Sequence, residues 1–337
     1  MKSCLVGAGV VALGLGLPSG SNLLARGGDA TNVQSRNGYV PRYLTLAKSG
    51  ELERREAELW KKMERCSLCP RMCRTNRMDG RMGICNSDHT FKVASAKISF
   101  AEESVTVARG GTGSIFMSNC NLLCVFCQNW EINHKGRGRL TTHEELAEIM
   151  LALQQRGANN IGIVTPTHVV PHIISALRIA ADRGLSIPFL YNSSGYETLE
   201  VLQLLDGIVD IYIPDFKFQD SVIAAPFLRH ARNYAHHTAI AIKEMHRQVG
   251  IPDVVDGIAN SGLITRHLVL PENLGGADKF ALWVAAEIGK DAHVNIMGQF
   301  RPMFRSRYHP PLDRRITQEE FNQAMSWARE AGLRNFY

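Results

Sequence analysis

Residues 113–130 read Gly-Ser-Ile-Phe-Met-Ser-Asn-Cys-Asn-Leu-Leu-Cys-Val-Phe-Cys-Gln-Asn-Trp. The short apolar run 113–117 reads as a strand that stops just before Cys120. The loop after it carries Cys120, Cys124 and Cys127, a C-x3-C-x2-C spacing. Thiols this close in sequence converge on a metal rather than bridge distant parts of a fold. Three thiolates on a 4Fe-4S cluster leave one iron without a protein ligand. Four thiolates would close every iron and suit electron transfer, whereas an open metal position marks a catalytic site.

Working outward, the chain alternates between strand and helix patterns. Apolar runs at 160–164, 187–192, 209–214, 264–270 and 293–297 follow the first strand. Amphipathic stretches at 143–155, 170–183, 197–205, 234–249, 279–288 and 317–331 read as helices between and after them. Thr141/Thr142 with Glu144/Glu145 give the first of these helices its start signal. Six such units predict an α/β protein with a parallel sheet and right-handed crossovers. Either an open doubly wound sheet or an incomplete (β/α)6 barrel satisfies the pattern, and both place the site at the carboxyl ends of the strands. Polar residues gather at those ends: Asn119, Thr165 to His168, Asn192 to Ser194, Asp215 and Lys217, Arg266 and His267, Asn295 and Gln299. No phosphate-loop or dinucleotide glycine motif follows a strand.

The 337 residues suit about two domains or one large barrel with an extension. Charged residues at 21% and hydrophobic residues at 45% exclude disorder, collagen and coiled coil as the main theme. The net charge of +6 is scattered, so no nucleic acid is expected as partner. Seven of the eight cysteines fall between residues 66 and 127, which argues against a disulfide framework and for a reducing compartment. Residues 4–17 are apolar or glycine, too few to span a bilayer, so no stable membrane insertion is expected. They read either as a flexible leader containing Cys4 or as a truncated export signal. Residues 1–45 are set apart as leader and linker, 46–95 as a helix plus a cysteine lobe, and 96–337 as the barrel.

Cys66, Cys69, Cys73 and Cys85 form the second cluster, C-x2-C-x3-C-x11-C. Four thiolates at these gaps fit a structural zinc or an auxiliary iron–sulfur cluster, in a lobe too small for a core of its own.

The three-cysteine loop, with Phe126 before its last cysteine, resembles that of the radical S-adenosylmethionine superfamily. Cys127-Gln-Asn-Trp130, Val164 to His168, Tyr191 to Glu197, Asp210 to Lys217, Arg266 to Pro271 and Val294 to Met297 resemble the branch related to pyruvate formate-lyase activating enzymes. The resemblance covers about residues 60–335. It implies an incomplete (β/α)6 barrel whose open iron chelates S-adenosylmethionine. Reductive cleavage of that cofactor then gives a 5′-deoxyadenosyl radical, which takes hydrogen from a substrate. A glycyl-radical enzyme is one such substrate. The chain departs from activating enzymes in two ways. Thr165-Pro-Thr-His168 stands where they carry a Gly-Gly-Glu type motif, and there is no eight-cysteine ferredoxin insert after the loop.

Asp215-Phe-Lys217 resembles an Asp-x-Lys element that lies near cofactor and substrate, and two charges at a buried strand end need a partner or a task. These two are the candidate catalytic pair. Thr165, Asn192, Ser194 and Arg266 are the candidate cofactor-binding residues, Arg266 as a match for the cofactor's carboxylate. The chemistry implies a cytoplasmic enzyme, a flavodoxin- or ferredoxin-type reductant, and a protein, peptide or small-molecule substrate. The competing expectation is a non-catalytic iron–sulfur or zinc scaffold.

Overall fold

A computed structural model describes residues 38–337. The leader reading, with Cys4, lies outside the described residues. Ten strands form one sheet: β1 Lys92–Ser99, β2 Thr112–Met117, β3 Arg139–Leu140, β4 Asn160–Val164, β5 Phe189–Ser193, β6 Ile211–Pro214, β7 Asp253–Val255, β8 Ile258–Leu268, β9 His293–Met297 and β10 Asn335–Phe336. The sheet runs β10-β9-β8-β6-β5-β4-β2-β1-β3 and does not close on itself. From β2 to β10 every neighbouring pair on this path is parallel. This is an incomplete (β/α) barrel, one of the two architectures that the six units allow and the one that the resemblance implies.

The parallel strands are buried on both faces because helices cover the outside. Every residue of β5 and β6 is buried. Helix His143–Gln155 starts in a capping box between Thr142 and Glu145, and helix Gln318–Glu330 repeats it with Thr317 and Glu320. Helix Tyr234–Val249 ends at Gly250, whose φ of 68° a side chain would resist.

Two parts of the sheet differ from the sequence reading. β1 adds to β2 antiparallel, and β3 adds to β1. β7 folds back on β8 through Asp256-Gly257, both at positive φ, which extends β8 back to Ile258.

The N-terminal boundary also moves. The linker expected up to residue 45 gives way to packed chain, because Tyr39 and the Arg42 amide both donate to Asp210 Oδ1, at 2.6 and 2.9 Å. Tyr43 is fully buried and donates to the Ile187 carbonyl. The helix expected over 46–64 is broken at Gly50, φ 75°, into Arg42–Lys48 and Glu51–Glu64. The second buries Leu52, Leu59 and Met63, the face its spacing predicts. Trp60 donates to Ser175, and Glu56 pairs with Arg178 of helix Val170–Asp182.

Candidate active site

A cavity of about 370 Å³ opens at the carboxyl ends of the parallel strands. It is lined by Cys120, Cys124 and Cys127 after β2, Thr165 after β4 and Asn192 to Ser194 at the end of β5. Asp215 and Lys217 follow from β6, Arg266 from β8, and Asn295 and Gln299 from β9 and the loop after it. Much of the polar crown expected from six separate strands thus lines one cavity, at the end that this class of sheet reserves for ligands, while Asn119, Thr167, His168 and His267 do not line it.

The three-cysteine loop is tightly folded. Asn119 and Leu123 take left-handed backbone conformations, at φ 72° and 56°, which let the chain reverse between cysteines. Asn121 is fully buried and donates to the Tyr196 carbonyl at 2.9 Å. Val125 is held on both sides, by the Phe227 carbonyl and the Arg305 amide. Phe126 packs against Phe218 and Phe300. The Leu122 amide and the Asn133 amide nitrogen donate to Cys120 Sγ and Cys127 Sγ, each at 3.3 Å. Donors aimed at sulfur favour thiolate, the form that ligates metal. Burial opposes it, raising the Cys120 and Cys124 thiols and pushing Cys127 up to about 11. Three thiols on one loop, Cys120 and Cys124 buried and Cys127 partly exposed, two of them already hydrogen-bonded as acceptors, fit a cationic cluster that would carry the thiolate charge.

Lys217 and Asp215 pair at 2.5 Å and line the same cavity. Burial works against the Lys217 charge, but Asp215, followed by Cys124, holds the ammonium above its ordinary value. The turn before them fits closely. Gly195 sits at φ 73°, and a Cβ there would lie 2.7 Å from the Asp215 carbonyl oxygen.

Arg266 departs from its sequence reading. Its guanidinium binds Glu103 through Nε and Nη2 and Glu102 through Nη2, at 2.6 to 2.7 Å. Asn295 donates to the same Glu103 carboxylate. Despite its burial, Glu103 is held below the usual carboxylate range by Arg266. Arg266 therefore stands at the cavity with its charge already matched, and the cofactor carboxylate is not its natural partner. Glu102, Glu103 and Asn121 are site residues that sequence reasoning missed. Adjacent acidic residues just before the short helix Ser104–Val107 were the visible signal. Their partner lies more than 160 positions away.

Of the other candidates, Asn192 lines the cavity and makes no side-chain hydrogen bond among the described residues, so its amide is open to a ligand. Ser194 contacts Asn121 Oδ1 at a long 3.4 Å. Thr165 holds φ 63°, uncommon for a β-branched residue, and its amide donates to the Asn192 carbonyl. His168 and His267 are buried on backbone carbonyls of Ser118 and Phe216. Burial pulls them down to about 3 and about 4, and neither lines the cavity.

Cys66, Cys69 and Cys85 are buried and Cys73 is partly exposed, all as free thiols. A Cβ on Gly83 would lie 3.4 Å from the sulfurs of both Cys73 and Cys85. A hydrogen bond from Cys66 lowers Cys73 to about 5, and the same bond, followed by burial, raises Cys66. Among the described residues no three His, Cys, Asp or Glu side chains close on a single ion. That holds for this cluster and equally for Cys120, Cys124 and Cys127. The segment is not the separate lobe its composition suggests. Arg71 and Arg77 tie it to the barrel through the carbonyls of Asn121 and His168.

A partial barrel with three free thiols at the carboxyl ends of its strands is the arrangement that the sequence resemblance implies for a cluster-dependent enzyme. The radical SAM superfamily model matches residues 114–261. An uncharacterized protein of Methanocaldococcus jannaschii is 30% identical over 281 residues, covering 81% of this chain and 76% of that one. The chain belongs to the radical SAM superfamily, and membership brings a 4Fe-4S cluster and S-adenosylmethionine. A domain of a pyruvate formate-lyase activating enzyme from Bacteroides vulgatus is similar at 13% identity and TM-score 0.33, over 47% of this chain and 84% of that chain. Streptococcus suis SuiB, bound to S-adenosylmethionine, is similar at 11% identity and TM-score 0.44, over 65% of this chain and 48% of that chain. No helix among the described residues is long and apolar enough to cross a membrane.

Proposed function

We propose that this enzyme takes a hydrogen atom from a protein or peptide segment that reaches into the cavity from outside. When bound, the cluster supplies the electron that cleaves S-adenosylmethionine and yields the abstracting 5′-deoxyadenosyl radical. Cys120, Cys124 and Cys127 would hold the cluster. Asn192, with its amide unpartnered, and Ser194 and Thr165 beside it would hold the cofactor. Lys217, fixed by Asp215, places one positive charge at the same cavity.

The observation that carries the substrate class is the cavity's size. S-adenosylmethionine would have to share a space of about 370 Å³ with the cluster, which leaves little room for a substrate enclosed beside it. A substrate atom must then enter at the mouth, as a loop of a larger molecule can. The Asp215-Phe-Lys217 element supports the same reading by its likeness to activating enzymes, of which glycyl-radical installation is the specific form. A flavodoxin- or ferredoxin-type reductant and a cytoplasmic location go with this chemistry.

The test is anaerobic incubation of reduced enzyme with S-adenosylmethionine and deuterated cell extract, split by size. Deuterium in 5′-deoxyadenosine from the protein fraction is the expected result. Transfer from the small-molecule fraction alone would reject a protein substrate. A glycine-centred doublet by electron paramagnetic resonance on a partner would identify glycyl-radical activation.

A further inference from the structure

We infer that residues 65–91 house a second metal centre, a four-thiolate site with Arg77 as its buried countercharge, whose loading steadies the three-cysteine loop through Arg71. The metal half of this inference is independent of the radical chemistry. The half that concerns the loop rests on Cys120, Cys124 and Cys127 being cluster ligands.

Three observations carry it. First, residues 65–91 contain no helix and no strand, yet three of their four cysteines are buried. A structureless stretch of this length inside a compact fold needs another source of order, and bound metal is the usual one where thiols gather. Met72, Arg74 and Asn86 hold left-handed conformations within it, at φ 42°, 58° and 60°.

Second, Arg77 is fully buried and has no salt bridge among the described residues. Its donors go to the Asp88 carbonyl at 3.0 and 2.7 Å, the His168 carbonyl at 2.7 Å and Cys66 Sγ at 4.0 Å. A buried cation without an anion is costly. Four thiolates around zinc or an iron–sulfur core leave about two negative charges, and one of those sulfurs is already within reach of Arg77. Arg266, at the other site, has two carboxylates for the same task.

Third, Arg71 lies between Cys69 and Cys73 and spends its guanidinium on the radical loop and its neighbour. It donates to Asn121 O at 2.6 Å, Leu122 O at 2.9 Å, Leu228 O at 2.8 Å and Arg229 O at 2.8 Å. Asn121 and Leu122 sit between Cys120 and Cys124. Fixing the cysteines on either side of Arg71 fixes this strut.

The test uses the full chain, purified anaerobically, with Cys120, Cys124 and Cys127 all changed to Ala. Metals and sulfide are counted. Either about one zinc without sulfide or about two to four irons with matching sulfide supports a four-thiolate centre and names its metal. Adding Cys73→Ser and Cys85→Ser must remove that metal. A triple variant holding neither metal, or metal that survives the two serines, overturns the inference. Arg77→Met should shorten retention against a chelator about tenfold, and Arg77→Lys should restore most of it. Unchanged retention in Arg77→Met rejects the countercharge. In the chain with its radical loop intact, Arg71→Ala should keep the second metal but lower loop-cluster iron and its paramagnetic signal. A wild-type signal would reject the strut. If Cys120, Cys124 and Cys127 bind no iron even in the wild type, the radical reading fails while the four-thiolate result stands.

Discussion

The two cysteine clusters of this chain differ in what faces them. Cys120, Cys124 and Cys127 line a cavity that the Asp215–Lys217 ion pair also lines. Cys66, Cys69, Cys73 and Cys85 line no part of that cavity and are approached by Arg77, a cation without a carboxylate among the described residues. One cluster leaves space for a reactant; the other is surrounded by its own chain. An open metal position serves catalysis and a closed one serves structure. The thiol count of each loop, three against four, says the same.

The largest expected effect separates the two directly. Cys124→Ala should drop 5′-deoxyadenosine release to the buffer background and remove the loop's iron, read by iron analysis and chromatography of the product. Cys85→Ser should instead show itself first as lost stability and lost second metal. Equal effects on both readouts would erase the distinction.

Next in size is the ion pair. Asp215→Asn leaves Lys217 without its carboxylate while keeping the seven thiols of the two clusters. A fall of about 10–100-fold in product formation, with iron content unchanged, is expected for a group that positions another. Unchanged turnover would move the pair from the chemistry to the scaffold.

Arg266→Met sharpens the contrast with Arg77. It leaves Glu103 buried beside Asn295 with no cation, a loss of about 3–5 kcal/mol by chemical denaturation. A loss below about 1 kcal/mol would show Glu103 to be solvated or protonated.

The smallest effects lie in pH. Glu103 is held below its ordinary value, so its stabilisation is present above the usual carboxyl range and fades as pH falls through its lowered pKa. Glu197, which lies near Cys69, is the opposite case. Burial pushes it up to about 7 from an ordinary 4.5. Its stabilisation is therefore full below pH 4.5 and is lost as pH rises through about 7. Glu103→Gln should flatten the acid side of a stability–pH curve, and Glu197→Gln the stretch from 4.5 to 7. Unaltered slopes would deny these carboxyls their buried settings.

Much of this was visible in the sequence. The parallel strands announce themselves as short apolar runs between periodic helices, and their ends carry the polar residues that meet at the cavity. β7 was not read, although Asp256-Gly257 between apolar residues carries a hairpin signal. β1 was harder, because its alternation of buried and exposed residues is shallow. The Arg266–Glu103 pair could not be read, because charge pairing across 163 positions leaves no local trace. Arg71 and Arg77 were invisible for a related reason. Their partners are backbone carbonyls, which every residue carries.

The central claim is that Cys120, Cys124 and Cys127 hold a cluster that cleaves S-adenosylmethionine. Its most direct test is 5′-deoxyadenosine release by anaerobically reconstituted, dithionite-reduced enzyme, set against Cys120→Ala. The account predicts product from the wild type and only background from the variant. Equal product from both, or none from a wild type carrying its full iron and sulfide, would contradict it.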